Sequence, residues 1–318
     1  MPDKQIQETA ERLVGNVETV IVGKGEVVRL MVVALLAEGH VLIDDIPGIG
    51  KTTLAKAVAK SIGCTFRRVQ FTPDLLPSDV TGIYYFNQKS SQFELKPGPV
   101  MANIVLADEI NRATPRAQSC LLECMQERQV TIDGETLPLP RPFLVIATQN
   151  PIEMEGTFPL PEAQIDRFLL RLKLGYPSKS QERDILLRFM EDDPLEYLEK
   201  VVEVGELREM QQLCHRVFVE ESVLAYIVDI GRATRNHPGV RLGASPRATL
   251  GLRIASQAWA AIQGRDFVIP DDIKHLAVPV LSHRLVLDLQ AHLRGRSSED
   301  IVRDIVDSVP VPVEESQH

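Results

Sequence analysis

The stretch LIDDIPGIGKTTLA, residues 42–55, has the residue types that bind a chain of phosphates. Its glycines let the backbone approach a ligand closely, Lys51 can neutralise phosphate charge, and the Thr52 hydroxyl can bind Mg²⁺. The strict pattern G-x-x-x-x-G-K-[ST] requires a glycine where this chain has Asp45, so an accidental glycine-rich turn is the alternative. Aspartate tolerates unusual dihedral angles and can bond its own backbone, and we expect its carboxylate to point away from the phosphates. The residues predicted to bind a nucleotide here are Pro47, Gly48, Ile49, Gly50, Lys51, Thr52 and Thr53.

Two carboxylates end the apolar run in NIVLADEINRA, residues 103–113. They stand at the carboxyl end of a predicted strand, which is where α/β sheets bind ligands. Asp108 can hold Mg²⁺ there, directly or through water, and Glu109 can act as the general base for water that attacks a γ-phosphate. An exposed acidic pair is common by itself. Because this pair follows the glycine-rich loop by about 55 residues, it is predicted to be the second half of the same site.

Three further polar residues could complete a site for phosphoryl transfer. Asn150 ends the apolar run FLVIATQN, where its amide could hydrogen-bond the attacking water and the γ-phosphate. A turn-forming asparagine before Pro151 is an equal alternative. Arg167 and Arg247 could neutralise charge in the transition state, also from a neighbouring subunit. Surface salt bridging is the ordinary alternative for any single arginine.

The elements that must position these residues alternate between short apolar runs and helical segments, which predicts a βαβ architecture with a parallel sheet. Two helices are predicted within residues 5–37, broken at residues 22–25. Residues 81–99 and 128–140 have β-prone halves and predict hairpins inserted into this core, although surface decoration is the alternative for each. The predicted buried strands are residues 40–44, 65–71, 104–108, 143–148 and 168–174.

From residue 179 the pattern becomes helical, so we predict a core domain at residues 1–178 and an all-helical domain at 179–318. Helices are expected to begin at Ser245-Pro246 and at Pro270-Asp271-Asp272. The acidic stretch 191–206 is predicted to be a loosely packed connector. The residues expected on one buried helix face are Val223, Leu224, Ile227 and Ile230.

Composition narrows the class of protein. The chain has 318 residues, 44% of them hydrophobic and 25% charged, which is typical of a globular protein with two domains. A net charge of −9 disfavours a protein that coats nucleic acid. No apolar run approaches the roughly 20 residues of a membrane span, and the polar start is unlike an export signal, so a cytoplasmic location is expected. The four cysteines lack C-x-x-C spacing, and Cys120 and Cys124 are predicted to be buried free thiols.

Four segments together resemble the MoxR family of AAA+ ATPases: DIPGIGKTTLA, LADEINRATPRAQSCLLECMQE, ATQNPIEMEGTFPLPEAQIDRFLL and GASPRA. The resemblance covers nearly the whole chain in order, and an acidic residue at the first glycine position looks like that family's usual loop. It implies ATP and Mg²⁺ as ligands. The roles it implies are Walker A for Lys51 and Thr52, Walker B for Asp108 and Glu109, sensor 1 for Asn150, the arginine finger for Arg167, sensor 2 for Arg247, and an adenine pocket at Val22 and Gly23.

The resemblance also implies a hexameric ring with ATP between subunits, in which the two hairpins face the central pore. Such proteins are thought to remodel protein partners as chaperones do, often beside a protein with a von Willebrand factor A domain. No residue identifies the client. A nucleic-acid-stimulated motor stays open, although the acidic balance disfavours it, and so does a nucleotide-sensing adaptor, although Glu109 and Asn150 argue against it. A GTPase is disfavoured because the chain has no N-K-x-D motif.

Overall fold

The computed structural model describes residues 2–150, 157–190 and 192–312. Parts of the predicted segments, including Pro151 and the end of the helical domain, lie outside the described residues. The strands are β1 (Val41–Asp44), β2 (Phe66–Gln70), β3 (Gly82–Asn87), β4 (Gln92–Pro97), β5 (Ile104–Asp108), β6 (Gln129–Ile132), β7 (Glu135–Pro138), β8 (Leu144–Gln149), β9 (Leu170–Leu172), β10 (Val240–Leu242) and β11 (Val286–Leu287).

The helices alternate with the strands in the first half of the chain and dominate the second half. They are α1 (Pro2–Glu18), α2 (Gly25–Leu36), α3 (Lys51–Ser61), α4 (Pro77–Thr81), α5 (Pro115–Glu127), α6 (Glu162–Ile165), α7 (Lys179–Arg188), α8 (Val204–Cys214), α9 (Glu221–Asn236), α10 (Pro246–Ile262), α11 (Pro270–Leu281), α12 (Leu289–Leu293) and α13 (Ser298–Ser308). The predicted break between the first two helices is confirmed. Among the described residues, no helix is long and apolar enough to cross a membrane.

A five-stranded parallel sheet with the order β2-β5-β8-β1-β9 forms the centre of the molecule. The prediction of a parallel α/β sheet is therefore confirmed. It was wrong in one respect, because β2 is an edge strand in which only Val69 is buried. The alternation FRRVQ turns Arg68 and Gln70 to the exposed side.

Neighbouring residues of the inner strands belong to two different hydrophobic clusters, because successive side chains of a strand point to opposite faces. Ile43 packs with α1, α2, α3 and the C-terminal helices, whereas Leu42 packs with α5 and the hairpin strands. The first cluster joins residues from both sides of the predicted boundary at 178/179. That boundary stays a prediction.

His40 fixes the start of β1 against its neighbours. Its ring is buried, its Nε2 lies 3.0 Å from the Met125 carbonyl oxygen, and its Nδ1 accepts the Val145 N–H at 3.0 Å. Burial lowers the pKa of His40 to about 3, so the ring is neutral and donates through Nε2. The side chain thus joins β1, β8 and the end of α5.

Both predicted hairpins are present. β3 pairs with β4, with Phe86 opposite Phe93, and β6 pairs with β7 around the two-residue turn Asp133-Gly134. Asp133 and Gly134 have φ angles of 50° and 86°, as a tight hairpin turn requires. The Tyr84 hydroxyl donates to Glu135 at 2.5 Å and so connects the two hairpins. Their predicted position at a pore stays a prediction.

The C-terminal part is helical, as predicted, and the expected helix starts are confirmed. The Ser245 hydroxyl accepts the Ala248 N–H at 3.2 Å and caps α10, and α11 begins at Pro270. A short antiparallel pair, β10 with β11, was missed because its strands are only three and two residues long.

Two local predictions in this part were wrong. Leu224 is exposed, because the buried face of α9 carries Val223, Ile227 and Ile230 at helical spacing and Tyr226 beside them. The acidic connector is irregular up to α8 but not loosely packed, since Leu198 and Val202 belong to the first hydrophobic cluster. These two buried side chains hold the connector against the hydrophobic core.

Candidate functional site

The glycine-rich loop runs from the end of β1 to Lys51, the first residue of α3. Gly48 and Gly50 have φ angles of +83° and +90°, which side-chain-bearing residues rarely adopt. A Cβ atom built on either glycine would meet no atom within 4 Å, and both glycines line an open cleft. The partial positive charge at the start of α3 faces this space, and the loop therefore fits a phosphate group.

Asp45 forms the turn at the end of β1 through both its backbone and its side chain. Its Oδ1 accepts the Ile46 N–H at 2.9 Å, and its Oδ2 accepts the Gly175 N–H at 2.7 Å. The carboxylate is buried and does not line the cleft in front of the loop. It therefore points away from this cleft, as predicted; the binding of phosphate in the cleft stays a prediction.

Lys51 is half-buried and folds back over the loop, where its Nζ donates to the Asp45 carbonyl oxygen at 2.7 Å. Burial lowers the pKa of Lys51, while nearby carboxylates, Asp108 first among them, act in the opposite direction. Among the described residues the hydrogen-bond partner of this ammonium is a carbonyl oxygen, and a partly desolvated ammonium gains more from an incoming phosphate than a fully hydrated one does.

Asp108 ends β5 between two donors. Its Oδ1 accepts the Thr148 hydroxyl at 2.6 Å, and its Oδ2 accepts Nη2 of Arg68 at 2.6 Å and Nε at 3.0 Å. The carboxylate is thus oriented from both sides, from β8 and from β2. Its direction at the edge of the sheet is therefore fixed.

Glu109 follows with a φ of 55°, in the left-handed region, which costs a residue with a side chain about 1 kcal/mol or more. Its backbone N–H donates to the Thr148 hydroxyl at 2.8 Å. Its Oε2 accepts Nε2 of Gln70 at 2.6 Å and lies 3.3 Å from Nε of Arg112. These contacts hold the side chain in one position despite the strained backbone.

The loop and the acidic pair share one polar cleft of about 390 Å³. The predicted residues that it brings together are Pro47, Gly48, Gly50, Lys51, Thr52, Thr53, Asp108, Glu109 and Asn150. Arg68 and Gln70 also line it and were missed. Their signal was present in the sequence, because the carboxyl end of β2 reaches the same sheet edge as that of β5.

An apolar pocket of about 420 Å³ adjoins the cleft and shares four loop residues with it, Pro47, Gly48, Gly50 and Thr53. Val22 and Ile49 line this pocket, as do Ile185, Leu186 and Phe189 around α7. Gly23 does not line it; its carbonyl oxygen accepts Nε2 of Gln181 from α7 at 3.2 Å. The combined space has an apolar end and a polar end that meet at the loop.

Arg167 and Arg247 do not line this cleft. They lie together in a separate cavity of about 390 Å³ beside the junction of the sheet and the C-terminal helices. Nη1 of Arg167 donates to the Leu122 carbonyl oxygen in α5 at 2.7 Å, and Nη1 of Arg247 lies 3.9 Å from Oδ2 of Asp166. Within one chain, the structure therefore separates the two arginines from the glycine-rich loop.

No group of three or more His, Cys, Asp and Glu side chains suited to a metal ion occurs among the described residues. The four cysteines are free, with Cys124 and Cys214 buried and Cys64 and Cys120 half-buried. Burial raises the pKa of Cys214 to about 12, as expected for an inert core thiol.

Comparison with known proteins agrees with this architecture. Residues 40–170 match the family described as ATPase family associated with various cellular activities (AAA), and residues 232–305 match the AAA lid domain. A crystal structure from Cytophaga hutchinsonii, described as that of a proposed ATPase, has a similar fold, with a TM-score of 0.91. The two sequences are 37% identical, and the match covers 98% of this chain and 97% of that one.

Two curated relatives cover nearly the whole chain. The uncharacterized protein YeaC of Bacillus subtilis (strain 168) is 51% identical over 305 residues, which are 96% of this chain and 95% of YeaC. Chaperone MoxR1 of Mycobacterium tuberculosis is 44% identical over 313 residues, which are 96% of this chain and 82% of MoxR1. With these matches, and a parallel sheet that carries a glycine-rich loop beside an acidic pair, the chain belongs to the MoxR family of AAA+ ATPases.

Proposed function

We propose that the protein hydrolyses ATP in a Mg²⁺-dependent reaction and uses the energy to remodel a protein partner. The observation that carries this proposal is the junction of an apolar pocket and a polar cleft at the glycine-rich loop. A purine fits the first and a triphosphate fits the second.

Loop backbone amides and Lys51 would bind the phosphates, with Lys51 exchanging the Asp45 carbonyl oxygen for a phosphate oxygen. Thr52 and Asp108 line the cleft and would hold Mg²⁺ through their side-chain oxygens. The ion would neutralise phosphate charge and align the β and γ groups.

Glu109 is the proposed general base. It lines the cleft, it is held by Gln70 and Arg112, and its backbone is fixed by Thr148. A carboxylate fixed in this way can orient a water molecule and take its proton without further reorganisation. The buried amide of Asn150 lies in the same cleft and supports the proposed role of orienting water and γ-phosphate.

Oligomerisation is part of the proposal, because the two arginines that contact the acidic pair within one chain, Arg68 and Arg112, already pair with Asp108 and Glu109. We infer that Arg167 and Arg247 complete the cleft of a neighbouring subunit in a ring, which the family resemblance suggests is hexameric. Their shared cavity and their distance from the loop of the same chain support this inference.

The client is proposed to be a protein. Chaperone MoxR1 bears that activity in its name, and the tip of the β3–β4 hairpin exposes Phe86 and Phe93, the latter at 71% of its full accessibility. The two rings contact each other edge to face at 5.4 Å and form an apolar surface that solvent alone covers in the single chain. A protein with a von Willebrand factor A domain is one candidate partner.

Steady-state ATP hydrolysis by the full chain, with and without Mg²⁺, tests the proposal. Glu109→Gln should bind ATP with nearly unchanged affinity and hydrolyse it at least 100-fold more slowly, because an amide cannot accept the proton. Glu123→Gln, on the exposed side of α5, removes the same charge outside the cleft and is the matched control.

Four outcomes would redirect the proposal. Full turnover by Glu109→Gln would remove that residue from its role. Full activity of Arg167→Ala under conditions of assembly would contradict the shared site. ATP binding without turnover in the wild type would favour a nucleotide-sensing adaptor, and stimulation by nucleic acid would favour a motor.

A further inference from the structure

Asp166 joins the sheet to the C-terminal helices at the edge of the cavity that holds both arginines. The Ser245 hydroxyl donates to its two carboxylate oxygens at 3.1 and 3.0 Å. Nε of Arg284 lies 3.1 Å from Oδ1, and Nη1 of Arg247 lies 3.9 Å from Oδ2. All three partners belong to the C-terminal helical part, whereas Asp166 follows α6 and directly precedes Arg167.

Backbone carbonyl groups hold Arg284 beside Asp166. Arg284 is buried, and its Nη2 donates to the Phe168 carbonyl oxygen at 2.7 Å and to that of Asp166 at 3.3 Å. Burial lowers the pKa of Arg284 to about 10, so the guanidinium is still charged at neutral pH. A buried cation requires a nearby anion, and Asp166 provides it.

The cavity itself is positively charged. Its walls carry Arg128, Arg167, Arg247 and Arg284, against two carboxylates, Glu38 and Asp166. Arg128 and Arg284 are bound to backbone carbonyl groups of their own chain. Arg247 has about half of its side chain exposed, and its ion-pair partner among the described residues is Asp166 at 3.9 Å, so this carboxylate favours one direction of the guanidinium.

We propose that Asp166 is a positioning residue that sets Arg167 and Arg247 as one two-arginine anion site and makes that site depend on the placement of the C-terminal helices. The proposal rests on the proposed function, because the anion it serves is the terminal phosphate of ATP bound to a neighbouring subunit. Ser245 and Arg284 hold the Asp166 carboxylate against the helical part. Because Arg167 is the next residue in the chain, its position follows that of Asp166. The carboxylate oxygen nearest Arg247 orients the guanidinium of Arg247.

A purely structural ion pair would behave differently, and the chain contains one for comparison. Asp272 accepts two hydrogen bonds from Arg265, at 2.6 and 2.8 Å, is buried in the C-terminal part, and does not line the cavity. Asp272→Asn should therefore lower stability while leaving kcat for ATP unchanged.

The test is Asp166→Asn in the full chain. We expect kcat to fall at least tenfold, while the KM and the affinity of the chain's own cleft for ATP stay within twofold. The decisive measurement mixes this variant with Glu109→Gln, whose arginine site is intact. Turnover per Asp166→Asn subunit should rise at least threefold, because the partner supplies working arginines to clefts that still contain Glu109.

Turnover of the mixture that equals the sum of its parts would overturn the proposal, as would an unchanged kcat. If Asp166→Asn does not fold, Ser245→Ala keeps the carboxylate but removes one contact, and the same rise on mixing decides the question. Failure of the proposed function would give a different result from failure of this proposal. In that case the wild type would hydrolyse ATP no faster than the background, or Glu109→Gln alone would be fully active.

Discussion

Replacing Asp45 with asparagine separates two explanations of the unusual loop. If the carboxylate faced the phosphates, its removal would tighten ATP binding. In the structure it instead accepts the N–H groups of Ile46 and Gly175, at 2.9 and 2.7 Å. Hydrogen bonds to a charged group contribute about 1.5 to 3 kcal/mol each.

The size of the effect follows from these two bonds. Asparagine has one acceptor oxygen and can keep one of them, while its NH₂ group faces the other backbone donor. The variant loses one bond and leaves a poorly solvated N–H without an acceptor, so we expect a loss of about 2 to 3 kcal/mol in the free energy of unfolding. Gly175 also lines the apolar pocket, so ATP affinity should fall by roughly tenfold, or about 1.4 kcal/mol.

Urea unfolding measures the first quantity, and titration with a fluorescent ATP analogue measures the second. Asp229→Asn, on the exposed side of α9, removes the same charge and should change stability by less than about 0.5 kcal/mol. An Asp45→Asn variant that is as stable as the wild type and binds ATP more tightly would refute the assigned contacts.

Two more predictions concern buried polar groups. Thr148→Val removes the hydroxyl shared by Asp108 and Glu109, so it should lower the free energy of unfolding by about 2 kcal/mol and kcat at least tenfold. Thr148→Ser keeps the hydroxyl and should retain both stability and kcat. Equal kcat values in the two variants would contradict this prediction. His40 has a folded-state pKa of about 3, below that of the unfolded chain near 6.5, so the unfolded chain binds more protons between these values and stability falls as pH decreases. Between pH 7.5 and 5.5, His40 should lower the free energy of unfolding by about 1.4 kcal/mol. In urea unfolding, the change in the free energy of unfolding between these two pH values should be smaller by that amount in His40→Gln. An equal change in the variant and the wild type would count against the neutral, buried His40 ring.

The sheet and the cleft that brings the glycine-rich loop beside the acidic pair could be predicted because each depends on local sequence. Residues 104–108 form a continuous apolar run that ends in two carboxylates, and the loop before α3 has its own glycine pattern. Such features need only strand and helix preferences to be interpreted. The direction of Asp45 was predictable for the same reason, since part of its bonding is to the next residue.

The missed residues depend on contacts between distant segments. Arg68 reaches Asp108 across 40 residues, and Gln70 reaches Glu109 across 39, only because β2 lies beside β5 in the sheet. Strand order does not follow from apolar runs alone. Likewise, nothing local indicated that Arg167 and Arg247 would share a cavity away from the loop, since that depends on how α10 packs against the sheet.

The anchor of Arg167 on α5 differs in kind from the other contacts around the site. Its acceptor is the main-chain carbonyl of Leu122, so no side-chain truncation along the helix removes it. It depends on the helical path of α5, which starts three residues after Arg112, a residue that touches Glu109. In the proposed ring, helix α5 would therefore connect two catalytic sites: its N-terminus follows the Arg112 contact of its own cleft, and its middle carries the acceptor of the arginine offered to the next. Inserting or deleting a single residue there would rotate the arginine's acceptor by about 100° and uncouple the two sites even with every side chain of both intact.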